Sequence, residues 1–121
     1  MSKTKLFSLL AVLTLTATLT AFAYSYDVKI PVAGKSIASE KLQKDSLFTI
    51  YSFAMRAANP SCQSFQIIDT NITKPKADGA WEEVWSIRAC EQKINVPVLF
   101  TEANGKGTYY VNPMGVKHIM D

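Results

Sequence analysis

Apolar and polar residues alternate most clearly in two stretches of the chain. Residues 94–101, INVPVLFT, set Ile94, Val96, Val98 and Phe100 against Asn95, Pro97, Leu99 and Thr101. That period of two is the mark of a half-buried strand. Pro97 has no N–H to donate, so this strand needs an edge or a bulge at that point. Residues 79–90, GAWEEVWSIRAC, hold two tryptophans four apart, a spacing that suits one face of a helix or of a strand. Gly79 stands at the start, where helices do not favour it, and Trp81, Val84, Trp85 and Ile87 suit a pleated surface. A strand is therefore predicted, with Trp81, Glu83, Trp85, Ile87 and Ala89 on one face.

The period lengthens over residues 39–58. Leu47, Ile50, Tyr51, Ala54, Ala57 and Ala58 form one helical stripe, Ser39 and Asp45 are both N-cap candidates, and Asn59-Pro60 ends the run. Ser46 to Met55 carries no charge, and Phe48, Phe53 and Met55 fall off the stripe. A surface helix is usually more polar behind, so either a curved sheet embraces the helix or these three residues meet a partner or a second copy, with a core helix that carries some exposed aromatics as the plainer reading. A first strand is predicted over 26–33, where Val28, Ile30 and Val32 alternate and Pro31 implies an edge. Another is predicted over 62–72, with Phe65 and Ile67 on one face and Ile68, Thr70 and Ile72 on the other. Residues 73–79 read as a turn, 91–93 as another, and Asn104-Gly105 as a hairpin tip before the return strand 108–112. The pattern predicts an α+β domain: one long helix packed on a four- to five-stranded antiparallel sheet.

The chain's start modifies this reading. Lys3 and Lys5 precede an uncharged run from Leu6 to Phe22, and Ala21-Phe22-Ala23 offers a cleavage site. These are the parts of a secretory signal peptide over residues 1–23, leaving a single exported domain over 24–121. No stable membrane anchor is expected after cleavage. The formal charge of +3 includes Lys3 and Lys5, so the remainder carries about +1. That balance gives no electrostatic case for nucleic acid. Export is expected to end in the periplasm or outside the cell.

Cys62 and Cys90 are the only cysteines, and an even count in an exported chain predicts a disulfide. A nucleophilic thiol served by His118, the only histidine, is the weaker alternative. The spacing of these residues lacks the paired ligands of a structural metal site, and no cofactor is implied. Trp81 and Trp85, with Tyr109 or Tyr110 from a neighbouring strand, are candidates for an aromatic surface that binds a protein or carbohydrate, and that surface vanishes if both indoles lie under the helix. Glu83, between the tryptophans, is the remaining candidate for acid chemistry, or solvates the edge of an outward indole pair.

The strand-helix-strands order is similar to the cystatin-like fold. W-x-x-x-W running into Cys90, then V-P-V-x-F at 96–100 and a Gly-rich hairpin, also resembles small exported bacterial domains of unassigned function, over roughly residues 60–112. Glu91 stands where those domains often carry glycine. Cystatin-type protease inhibitors use a glycine near the N-terminus, a Q-x-V-x-G hairpin and a P-W hairpin. Gly34 fits the first by position. The hairpins here, KPKADG and EANGKG, supply neither of the others. The sequence therefore implies a non-enzymatic binding or accessory protein, with cystatin-like inhibition and a small enzyme using Glu83 or the Cys/His pair as alternatives.

Overall fold

The computed structural model describes residues 24–119; the predicted signal peptide lies outside the described residues. The order of elements is β1 (Ser25–Tyr26), α1 (Glu40–Ala57), β2 (Ser64–Ala77), β3 (Ala80–Ala89), β4 (Gln92–Ala103), β5 (Lys106–Val111), a one-turn 3-10 helix (Pro113–Gly115) and β6 (Lys117–Ile119). The domain is α+β, with one helix on a curled sheet ordered β1-β2-β3-β4-β5 and with β6 also on β4. No helix among the described residues is long and apolar enough to cross a membrane.

Several expectations about this architecture need correcting. The sheet is mixed, because β1 runs parallel to β2. A parallel pair needs a crossover between its strands, and α1 supplies it. The first strand is also two residues long rather than eight. Beyond Asp27 the chain leaves the sheet, and Gly34 takes φ +99°, where a Cβ would stand 2.2 Å from the Thr70 backbone nitrogen. Lys35 N–H donates to the Thr70 carbonyl at 2.8 Å, so this loop is laid against β2.

At 18 residues, α1 has five turns and is not the long helix expected. Of the two cap candidates, Ser39 is used: its Oγ accepts from Leu42 N–H at 3.2 Å. The predicted stripe faces inward at Leu47, Ile50, Tyr51 and Ala54, joined by Leu42, Gln43 and Ser46. Gln43 is buried without penalty because its Oε1 accepts from Val32 N–H and its Nε2 donates to the Ala38 carbonyl, each at 2.9 Å.

The sheet explains four local features. β2 continues through the segment predicted as a turn, and Asp78-Gly79 alone reverses the chain, at φ 51° and 77°. Asn104-Gly105 does the same at 55° and 76°, the positive pair that matches the twist of a hairpin. A bulge between Ile67 and Asp69 shifts the register, so Thr70 pairs with Trp85 and turns inward with Phe65 and Ile67. Strict alternation had placed Thr70 on the opposite face. Pro97 sits where the outer side of β4 is open, since β5 pairs only up to Val98 and β6 only from Asn95. Its carbonyl accepts from Asn112 N–H at 3.1 Å in that gap.

Cys62 and Cys90 form a disulfide with Cα atoms 5.8 Å apart. It joins the exit of α1 to the β3–β4 turn, where Cys90 has φ +57°.

Candidate functional site

Alternation along β3 brings Trp81, Glu83 and Trp85 to one face, with the carboxyl between the two indoles. Trp81 Nε1 donates to Glu83 Oε2 at 2.7 Å, and Trp85 Nε1 donates to Oε1 at 2.9 Å. A third donor comes from the loop before α1, as Ile37 N–H reaches Oε2 at 3.0 Å. Trp81 stacks on Phe100 of β4, with centroids 5.5 Å apart, and Trp85 lies 6.1 Å from the same ring. Lys76 Nζ covers the Trp81 ring at 4.9 Å.

This face is the inner one. Trp81 is 1% exposed, and Trp85 and Glu83 are 0%, so the expected outward indole pair with a solvated Glu83 is corrected. Burying a carboxyl is costly unless its oxygens are paired, and both oxygens are. The grouping of these residues follows the strand pattern; their inward orientation does not. The Ile37 amide carries no signal in the sequence, because every residue except proline has one.

The remaining members of the predicted aromatic surface separate. Tyr109 faces the helix, half-buried, with its hydroxyl 3.2 Å from Thr49 Oγ1. Tyr110 points to the other face and is 61% exposed. The five residues therefore do not form one surface. Glu83 is sealed from solvent and the two sulfurs are bonded to each other, so neither chemical candidate is presented as a free group. Among the described residues no three His, Cys, Asp or Glu side chains converge as a metal site would require.

The helix residues that fell off the stripe also divide. Phe48 is 58% exposed. Met55 lies on the same flank, where its sulfur accepts from the Tyr26 hydroxyl at 3.6 Å. Phe53 lies under Arg56, 5.2 Å from the guanidinium, beside Pro113 and Val116. Phe48 instead belongs to a cluster that the N-terminal segment completes. Tyr26 meets Phe48 edge-on at 6.0 Å and stacks with Tyr24 at 6.2 Å. Val28, 56% exposed, and Ile30 join Phe48 around an open hollow of about 680 Å³ with Lys41 and Lys44 at its rim.

Tyr51, beneath this cluster, donates its hydroxyl to the Asp27 carbonyl. Burial, with Asp27 nearby, pushes its phenol up to about 12. The buried ring thus fixes the segment that presents Val28. Compared with known proteins, the chain matches no protein family, no curated protein and no solved structure.

Proposed function

We propose that the protein is an exported, non-enzymatic binding or accessory domain whose working part is a surface. The observation that carries this reading is the exposed cluster of Tyr24, Val28 and Phe48, flanked by the half-buried Ile30 and Tyr26. Apolar and aromatic side chains of this kind supply much of the energy at interfaces. The groups best suited to chemistry, Glu83 and the two cysteines, are committed to internal bonds. The disulfide and the charged, apolar and small-residue sections of the first 23 residues support an exported setting.

A photo-crosslinking residue placed at Phe48 in the exported protein tests the proposal. A discrete adduct is expected at this position and not at Glu91, in the exposed β3–β4 turn. Adducts at neither position, or equally at both, overturn it. Adducts with a second copy identify the surface as an oligomer contact.

A second reading, cystatin-like inhibition of a cysteine protease, draws support from one contact. Glu102 N–H donates to the Gly79 carbonyl at 2.9 Å, so the β2–β3 and β4–β5 turns lie side by side, as a two-hairpin wedge requires. Their tips are polar and offer little to desolvate a protease cleft. Titration against a papain-type protease separates the readings: tight inhibition that survives a Phe48 substitution favours the inhibitor.

A further inference from the structure

On the side of the sheet away from the helix, the fork between β5 and β6 encloses a second feature. Pairing along the outer edge of β4 stops at Val98 on one side and resumes at Asn95 on the other. The open hollow there is about 290 Å³, near the lower size of small-molecule sites. Its floor is Val84 and Pro97, a register pair. The 3-10 turn backs it tightly, since a Cβ on Gly115 would stand 2.7 Å from Pro97 Cγ.

The polar groups around this floor have spare capacity. Asn95 Oδ1 is taken by the Ser86 hydroxyl at 2.8 Å and Asn112 Oδ1 by Met114 N–H at 3.2 Å. Each bond fixes an amide while leaving its NH2 as donor. Glu82 Oε1 accepts from Thr73 Oγ1 at 2.7 Å, which leaves Oε2. Lys117 Nζ has no partner among the described residues. In the next row along the strands, Glu82, Leu99 and Tyr110 are register neighbours, and the Tyr110 ring is exposed.

We propose that this fork is a carbohydrate subsite, sized for one sugar ring. Hydroxyls both accept and donate, so they satisfy two amides, an ammonium and a carboxylate together. The C–H face of a pyranose suits Pro97 and Val84, with Tyr110 as the flanking aromatic. A simple anion fits less well, because Glu82 opposes it and the apolar floor gives it nothing. The site lies across the sheet from Phe48, so it stands or falls independently of the surface proposed above.

The test is an NMR titration of the isotope-labelled exported protein with glucose, galactose, N-acetylglucosamine and chitotetraose. Saturable shifts of the Asn95 and Asn112 side-chain amides are expected with at least one sugar, with the Phe48 and Val28 signals unmoved. K117A and Y110A alter exposed side chains and should each weaken binding about tenfold while leaving the spectrum folded. The proposal is overturned if no sugar of the series moves either amide saturably, or if both variants bind as the parent does. Shifts induced instead by a control tripeptide, and by no sugar, overturn it in favour of a peptide site.

Discussion

Glu83 receives three N–H groups on two oxygens, and no cation supplies any of them. A buried donor left without its acceptor costs about 1–3 kcal/mol. E83Q keeps the shape but turns an NH2 toward one indole N–H, so it should lower stability by about 2–4 kcal/mol in urea denaturation. Adding W85F removes the opposed donor. The double variant should therefore lose less than the sum of the two single losses, and simple additivity would contradict the arrangement. Tyr51 makes a prediction about pH. Its phenol, at about 12, is raised above the ordinary value of 10.0. The folded state therefore holds this proton more tightly than the unfolded state. The contribution is complete below pH 10 and is lost as pH rises toward 12. Y51F should remove that part of the alkaline fall in stability, measured as the melting temperature against pH.

At the scale of elements, the loop from Asp27 to Ser39 is held by sparse but specific contacts. Gly34 lies against the β2 bulge, where it has neither room for a Cβ nor a φ suited to alanine. G34A is expected to cost more than about 2 kcal/mol. Loss of amide protection at Lys35, with the centre of β3 still protected, would locate the damage in that loop. The disulfide acts on a different pair of elements. It closes a separation of 28 residues between the helix exit and the β3–β4 turn. Chain entropy assigns such a loop about 3.5 kcal/mol, so C62S/C90S should unfold at clearly lower urea. Pro97 illustrates how an element absorbs a misfit: β4 is interior to the sheet, yet its pairing is interrupted where the proline lacks a donor.

For the molecule as a whole, the helix and curled sheet place both indoles in one apolar interior. Tryptophan emission should be blue-shifted and resist iodide quenching, and an exposed, quenchable spectrum would contradict the fold. Much of this architecture was legible locally. Alternation marked β3 and β4, the stripe and Ser39 marked α1, and Asn104-Gly105 marked a hairpin, since each depends on neighbours within a few residues. The cysteine pairing was legible because the chain has only two. The orientation of β3 was not. Alternation divides a strand into two faces but does not say which one meets the helix, and here the inner face includes Glu83 because a distant amide and two indoles converge on it. The inward turn of Thr70 likewise needed a bulge, and the parallel pairing of β1 needed the crossover. The sequence by itself determined the helix, the alternation of β3 and β4, the Asn104-Gly105 hairpin and the single bridge. Only the tertiary structure decided what is core and what is surface, because that depends on contacts between residues far apart in the chain.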